Sequence, residues 1–538
     1  MRPRQPWPAF LRWLVLLVLG TWAAGCASLP SNVVRPVSSA HATPDDTALG
    51  RLVQARPGQV TTRSDSGFLL LDSVGAAFSS RLALIGAAQR TLDLQYYAIH
   101  ADSSTEQLLE RVRAAARRGV RVRILLDDFN SVGADAQVLR LAFEPNIEIR
   151  LFNPLLGSRA SLIARVFSSL HDVDRFQKRM HNKLFIADNA WGITGGRNLG
   201  DAYFGGDGTS SFVDLDVMAA GRVVRDMSTS FDSYWNNELA YPAQSLLDRK
   251  ELERLRPAPG PAEATAPVVR PASAAVLPDV TATSVQSPVP MDLQRVTLTW
   301  APAALMVDKP GKVGPGDDEV DAGDTLIDGL QQLMAQSRQE LLIVSPYFVP
   351  GAAMMKVFAN ARARGVRIRV LTNSLASNDA PAAHAGYARY RMQLRAMGVE
   401  LYEMRADQAG SAGGLGSGAG AGGGSKSSSS RASLHSKAVI IDGRLAVIGS
   451  MNLDLRSQLK NSEVALVIRS VALSQQATRL VETTFRQGAY RLAVTDGRLY
   501  WHAPAGAAFK DASSEPDAGA KLKILVNVLG PFAPDEML

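Results

Sequence analysis

Two stretches of this 538-residue chain carry residues that can do chemistry at phosphorus: His181, Lys183 and Asp188 in one, and His435, Lys437 and Asp442 in the other. Both read H-x-K-x4-D, and they lie 254 residues apart. With Lys and Asp each near one residue in twenty, a given histidine has roughly a one in 400 chance of carrying both partners. Two occurrences among seven histidines are therefore no accident. Imidazole titrates near neutrality and can act as nucleophile, base or acid, while an ammonium two residues on can hold anionic oxygens. Asp188 and Asp442 complete the candidate catalytic set by pattern, yet each opens a turn signal, Asp188-Asn189 and Asp442-Gly443, and taken alone reads as a turn former.

Short glycine-containing phrases follow, Gly195-Gly196-Arg197-Asn198 and Gly449-Ser450-Met451-Asn452. Glycine permits close backbone approach, and Asn198, Asn452 and Ser450 offer uncharged donors to a phosphate oxygen. Asp216 and Glu463 each lead into an apolar strand, where a carboxylate could orient an imidazole by accepting its second N–H. Two His, two Lys and two Asn about a pseudo-twofold axis would make a phosphate site that needs no metal. One neutral imidazole attacks phosphorus, the other protonates the departing oxygen, and the roles then reverse. Ammonium groups repel a divalent cation, and a single cysteine, Cys26, excludes a thiolate cluster, so neither metal nor cofactor is expected.

The elements that must position these residues are legible as a repeat. Periodicity predicts helix over 79–90, strand over 91–97, helix over 106–118 and strand over 120–126, a parallel crossover unit. The same phrase returns as helix 325–338, strand 340–344, helix 351–364 and strand 365–371, and residues 365–371 repeat 119–125 nearly letter for letter. The chain is a tandem duplication. Its expected domains are 65–256 and 291–505, separated by a Pro/Ala-rich low-complexity insertion at 257–290. A Gly/Ser loop at 409–431, expected to be disordered, precedes His435. Residues 506–538 form a tail whose apolar run at 521–529 reads as a core strand or a membrane contact.

Ordinary globular composition, 46% hydrophobic and 20% charged, excludes global disorder. A formal charge of +7 without a long basic run suits an anionic surface or substrate and does not call for nucleic acid. Arginines 2, 4 and 12, an apolar run over 13–19 and Ala23-Ala24-Gly25-Cys26 have the layout of an export signal over 1–25, with Cys26 a candidate for lipidation. Residues 26–64 are expected to form a flexible tether. The implied location is the cell envelope, membrane-anchored on the exported side.

The duplicated H-x-K-x4-D with its GGRN and GSMN followers resembles the phospholipase D superfamily. Phrases such as GGRNLGDAYFG, DLDVMAAG and VSPYFVP are most similar to its bacterial cardiolipin synthase C branch. The resemblance implies two α/β domains related by a pseudo-twofold, each a mixed sheet flanked by helices, with one active site at their interface. It implies a phosphatidyl-histidine intermediate, with His181 as nucleophile and His435 as general acid and base. Lys183, Lys437, Asn198 and Asn452 would hold the phosphate, with Asp216 and Glu463 behind the histidines. Anionic phospholipid at a membrane surface would be the substrate, transfer to phosphatidylglycerol or hydrolysis the outcome, and no protein partner is required. Asn378, Asp379, His384, Tyr387 and Arg391 follow a strand end where α/β sheets meet ligands, and are candidates for headgroup recognition.

Overall fold

The computed structural model describes residues 29–56, 65–157, 159, 165, 172–205, 210–247, 249–255, 289–314, 325–407 and 431–530. The export signal, Cys26 and nearly all of both low-complexity stretches lie outside the described residues.

The first half supplies strands β1 (Asp65–Leu71), β2 (Thr91–Tyr96), β3 (Arg121–Asp127), β4 (Ile147–Phe152), β5 (Arg179–Met180), β6 (Leu184–Ala187), β7 (Trp191–Gly195), β8 (Ser210–Val213), β9 (Asp216–Gly221) and β10 (Ala240–Pro242). The second supplies β11 (Thr299–Val307), β12 (Glu340–Val344), β13 (Arg367–Asn373), β14 (Glu400–Met404), β15 (Arg431–Leu434), β16 (Ala438–Ile441), β17 (Leu445–Gly449), β18 (Asn461–Ser462), β19 (Val464–Arg469), β20 (Ala489–Thr495) and β21 (Arg498–His502).

Each half is a mixed sheet. In the first, β2, β3 and β4 run parallel, while β6, β7, β9 and β1 continue antiparallel from β2. In the second, β12, β13 and β14 are parallel and β16, β17 and β19 antiparallel, so the duplication read in sequence is a duplication of topology. The sheets are joined edge to edge. The first part of β11, Thr299 to Pro302, pairs with β1, and its remainder, Ala303 to Val307, pairs with β19.

Flanking helices form where the sequence caps them. Asp102 accepts from Thr105 N at 3.1 Å at the start of α3 (Ser103–Arg117), and Gly119, at φ 92°, lets the chain turn into β3. In the repeat, Thr325 and Asp328 close a capping box on α5 (Leu326–Ala335). Also used below are α1 (Ala48–Gln54), α2 (Val74–Ala87), α4 (Arg222–Trp235), α6 (Gly351–Ala363), α7 (Pro381–Ala396), α8 (Leu455–Leu459), α9 (Val471–Gln487) and α10 (Ala520–Leu529).

Strand alternation sorts side chains into cores. Phe185 and Ala187 face an outer core with α2 and α3, whereas Leu184 and Ile186 enter a core shared with Leu342, Ile440, Ile448 and Leu466 of the other half. That shared core fixes the two halves against each other.

Three expectations need correction. The stretch expected to be a tether is largely docked. Leu49 is fully buried, Arg150 donates to Pro36 O at 2.6 Å, Arg123 to Ser38 O at 2.9 Å, and Arg35 to Ala240 O at 3.2 Å. An extended segment held by arginines from elsewhere has no periodicity of its own to read. The apolar run of the tail is a helix, not a strand. Leu522 and Val526, four apart, seat it beside Leu375 and Ala385, and that tertiary contact overrides the β-branched composition. The handover between halves also falls inside β11, later than residue 291, because Met291, Leu293 and Leu298 pack in the first core.

Candidate active site

Both histidines leave short strands that pair across the halves. Parallel β5 and β18 put Met180 opposite Ser462, so His181 and Glu463 emerge side by side, and His181 N donates to Ser462 O at 2.9 Å. Parallel β15 and β8 put Leu434 opposite Val213, and His435 N donates to Val213 O at 2.9 Å beside Asp214.

The carboxylates behind the imidazoles are therefore crossed. His181 Nδ1 lies 2.9 Å from Glu463 Oε2 and 3.0 Å from Oε1, while His435 Nδ1 lies 2.7 Å from Asp214 Oδ2. Asp216, expected behind a histidine, instead pairs with Arg81 at 2.9 Å and Arg197 at 3.5 Å, all three fully or nearly fully buried. Sheet register decides between the two aspartates. Gly195 pairs with Asp216 and Gly449 with Ala465, so Asp214 is the counterpart of Glu463.

Both lysines point back along the same face. Lys183 Nζ donates to His181 O at 2.8 Å, and Lys437 Nζ donates to His435 O. Burial holds the Lys183 ammonium down to about 7 against the pull of Glu463, and Lys437 down to about 8 against Asp214 and Glu463. Burial, then the charges of Lys183, Lys437 and His435, keep His181 well below ordinary imidazole. His435 is also lowered by burial and Lys437, but Asp214 pulls the other way. Each histidine thus feels a charge from the other half, Lys437 on His181 and Asp214 on His435. Burial raises Glu463 to about 7, and Ser457 Oγ, at 3.0 Å, and Ser450 Oγ donate to it.

Ser450, expected to bind substrate, is fully buried behind Glu463. The two asparagines are not equivalent. Asn198 Nδ2 donates to Tyr203 Oη at 2.9 Å, whereas Asn452 Oδ1 is buried with no hydrogen-bond partner among the described residues. Asp188 accepts from the backbone N–H groups of Gln89, Arg90 and Thr91 at 2.7–3.2 Å, and Asp442 from Arg338, Gln339 and Glu340 at 2.7–3.1 Å. Both have φ near +50°, the turn geometry their neighbours announced.

Of the headgroup candidates, His384 and Arg391 are buried in a network with Glu403 and Glu515, and Tyr387 packs in the second core. Asp379, held by Tyr347 Oη at 2.9 Å, remains near the site, where its charge acts on His435 and Lys437. Sequence reasoning missed the aromatic walls, Tyr97 at 5.2 Å from the His181 ring and Phe212 at 4.9 Å from His435. It also missed Arg456 on α8, whose charge reaches His181.

A family model described as cardiolipin synthase, PLD-like domain matches residues 82–235 and again 330–485. The chain belongs to that family. It is an enzyme of the phospholipase D superfamily. Cardiolipin synthase C of Escherichia coli (strain K12) is 37% identical over 82% of this chain and 87% of its own length. Cardiolipin synthase A of Edwardsiella ictaluri is 24% identical over 87% of this chain and 76% of its length. Among solved structures, phosphatidylserine synthase of Haemophilus influenzae Rd KW20 superposes with a TM-score of 0.51 at 15% identity, covering 83% of this chain and 92% of its own, which supports the fold. The family match falls on the two half-sheets whose strand ends carry the histidines.

Proposed function

We propose that the protein is a phosphatidyltransferase that makes cardiolipin from phosphatidylglycerol, with phosphatidylethanolamine a possible donor, at the exported face of the cell envelope. The observation that carries this reading is the pair of crossed histidine–carboxylate contacts, each made across the two halves and each with a buried lysine two residues on.

The asymmetry of those contacts supports the division of labour. His181, the more strongly depressed imidazole, is neutral, and its Nδ1–H directed at Glu463 leaves Nε2 free to attack phosphorus. His435 has Asp214 behind it, held below the usual carboxylate range by the histidine and Lys437, and so is the better proton carrier. In the first displacement a P–N bond forms to His181, the P–O bond to glycerol or ethanolamine breaks, and the His435 imidazolium gives its proton to the departing oxygen. In the second, neutral His435 takes the proton of an acceptor hydroxyl on phosphatidylglycerol, that oxygen bonds phosphorus, and the P–N bond breaks. Lys183, Lys437 and Asn452 hold the nonbridging oxygens throughout. Cys26, once lipidated, would tether the enzyme to its substrate layer.

The test is lipid mass spectrometry after incubating full-length protein with phosphatidylglycerol, with and without phosphatidylethanolamine and with EDTA. Cardiolipin is expected in every arm, with a phosphatidyl adduct on His181 recovered by rapid quench of the unsubstituted enzyme and lost in His181→Ala. Phosphatidic acid as the main product would make the enzyme a hydrolase. Loss of turnover in EDTA, or full activity in both His181→Ala and His435→Ala, would sink the mechanism. For Cys26, labelled palmitate should enter the protein in a Gram-negative host and fail to enter Cys26→Ser.

A further inference from the structure

Helix α10 uses one face to bind the protein and leaves the other bare. Val526 packs with Leu375 and Ala385, Leu522 joins the edge of that cluster, and Arg389 of α7 donates to Gly530 O at 3.2 Å. Lys521, Ile524, Leu525 and Val528 stand at i, i+3, i+4 and i+7 and so share a second face. Ile524 is 63% exposed, Leu525 45% and Val528 58%, and no other described helix exposes more than one large apolar side chain. On α7, the helix whose Ala385 packs under Val526, Met392 is 41% exposed.

Its place beside the histidine site gives the stripe meaning. Leu375, under α10, belongs to the loop after β13. Asn373 at the end of that strand brackets the residue before His435, donating to Leu434 O and accepting from Leu434 N, both at 2.9 Å. The same loop ends at Asp379, near His435 and Lys437. Charge selects the occupant. Lys521, Lys523 and exposed Arg389 border the stripe, and no carboxylate occurs from 518 to 530. A twofold contact with a second copy would set Lys521 against its equivalent, whereas an anionic lipid surface complements the cations and accepts the apolar side chains.

We propose that α10 docks the enzyme on an anionic bilayer, laying Ile524, Leu525 and Val528 at the acyl boundary and holding the adjacent histidine site at headgroup depth. The proposal rests on the phospholipid reading above. Its test is read by binding, so the two can fail separately.

Full-length Cys26→Ser protein, in which no lipid anchor contributes, is floated with vesicles of phosphatidylcholine containing or lacking phosphatidylglycerol. Binding is expected to favour the anionic vesicles and to fall on the order of tenfold or more in the Ile524→Glu/Leu525→Glu/Val528→Glu variant. Turnover of monomeric short-chain phosphatidylglycerol should be unchanged in that variant. A Leu525→Cys probe in the Cys26→Ser background, carrying an environment-sensitive dye, should brighten on vesicles. Undiminished vesicle binding by the triple variant, or no change at the dye, overturns the proposal. So does a fall in molar mass from dimer to monomer by light scattering, which would make the stripe an interface between copies. If wild-type protein binds anionic vesicles through α10 but turns over no phosphatidylglycerol, docking stands and the transferase reading fails.

Discussion

Asp214 and Asp216 are two residues apart and face different tasks. Asp214 holds the His435 imidazole at 2.7 Å, and Asp216 neutralises Arg81 and Arg197 in the core. Asp214→Asn should therefore keep the fold and lower kcat by about 10^2 to 10^4-fold, with the acid limb of the pH profile moved to lower pH because His435 loses the group that raises it. Asp216→Asn should instead cost about 3–5 kcal/mol of stability, since two buried guanidinium groups lose their partner, with kcat per folded molecule nearly intact. Urea unfolding beside steady-state kinetics separates the two. The lysines make a second prediction. Burial holds them near 7 and 8, so at pH 8 a sizeable share is neutral, and an anion placed among them raises both. Inorganic phosphate should bind at pH 8 with uptake of up to about one proton, read by calorimetry in two buffers of different ionisation enthalpy. Lys183→Met should abolish most of that uptake.

The turn after each H-x-K strand shows what elements ask of the motif's last letter. Asp188 and Asp442 each tie three backbone N–H groups at the entrance to the neighbouring parallel strand, β2 or β12, so they brace the sheet and do not face the histidines. Asp188→Ala should cost about 2–4 kcal/mol by leaving those donors unsatisfied and should spare turnover of the folded fraction, measured by thermal melts alongside kcat. This is also where sequence reading succeeds and stops. Helical periodicity and period-two alternation announced the helices and strands, because they act locally. The turn role of the two aspartates was equally local. The partner of His435 was not, because it is set by the pairing of β8 with β15 across 221 residues, and a two-residue choice between Asp214 and Asp216 depends on sheet register. Docking of residues 33–56 escaped for the same reason, their contacts being supplied by Arg123 and Arg150.

At the scale of the molecule, β1 paired with β11, two cross-half ladders and a common core make one body from two repeats. Cutting the chain within 256–288 should leave that body intact. Co-expressed fragments 1–255 and 289–538 should co-purify with kcat within about tenfold of the whole chain, because every cross-half contact among the described residues is kept. Either fragment alone should be inactive, and size-exclusion chromatography with lipid mass spectrometry checks both statements. The crossed pairing has a further consequence, which concerns inheritance. A repeat protein assembled from independent modules can trade a module with a relative by recombination. Here a traded half would bring its histidine to a foreign carboxylate and its carboxylate to a foreign histidine. An exchange that keeps both contacts must carry β5 with β18 and β8 with β15, pairs whose codons lie more than 200 positions apart.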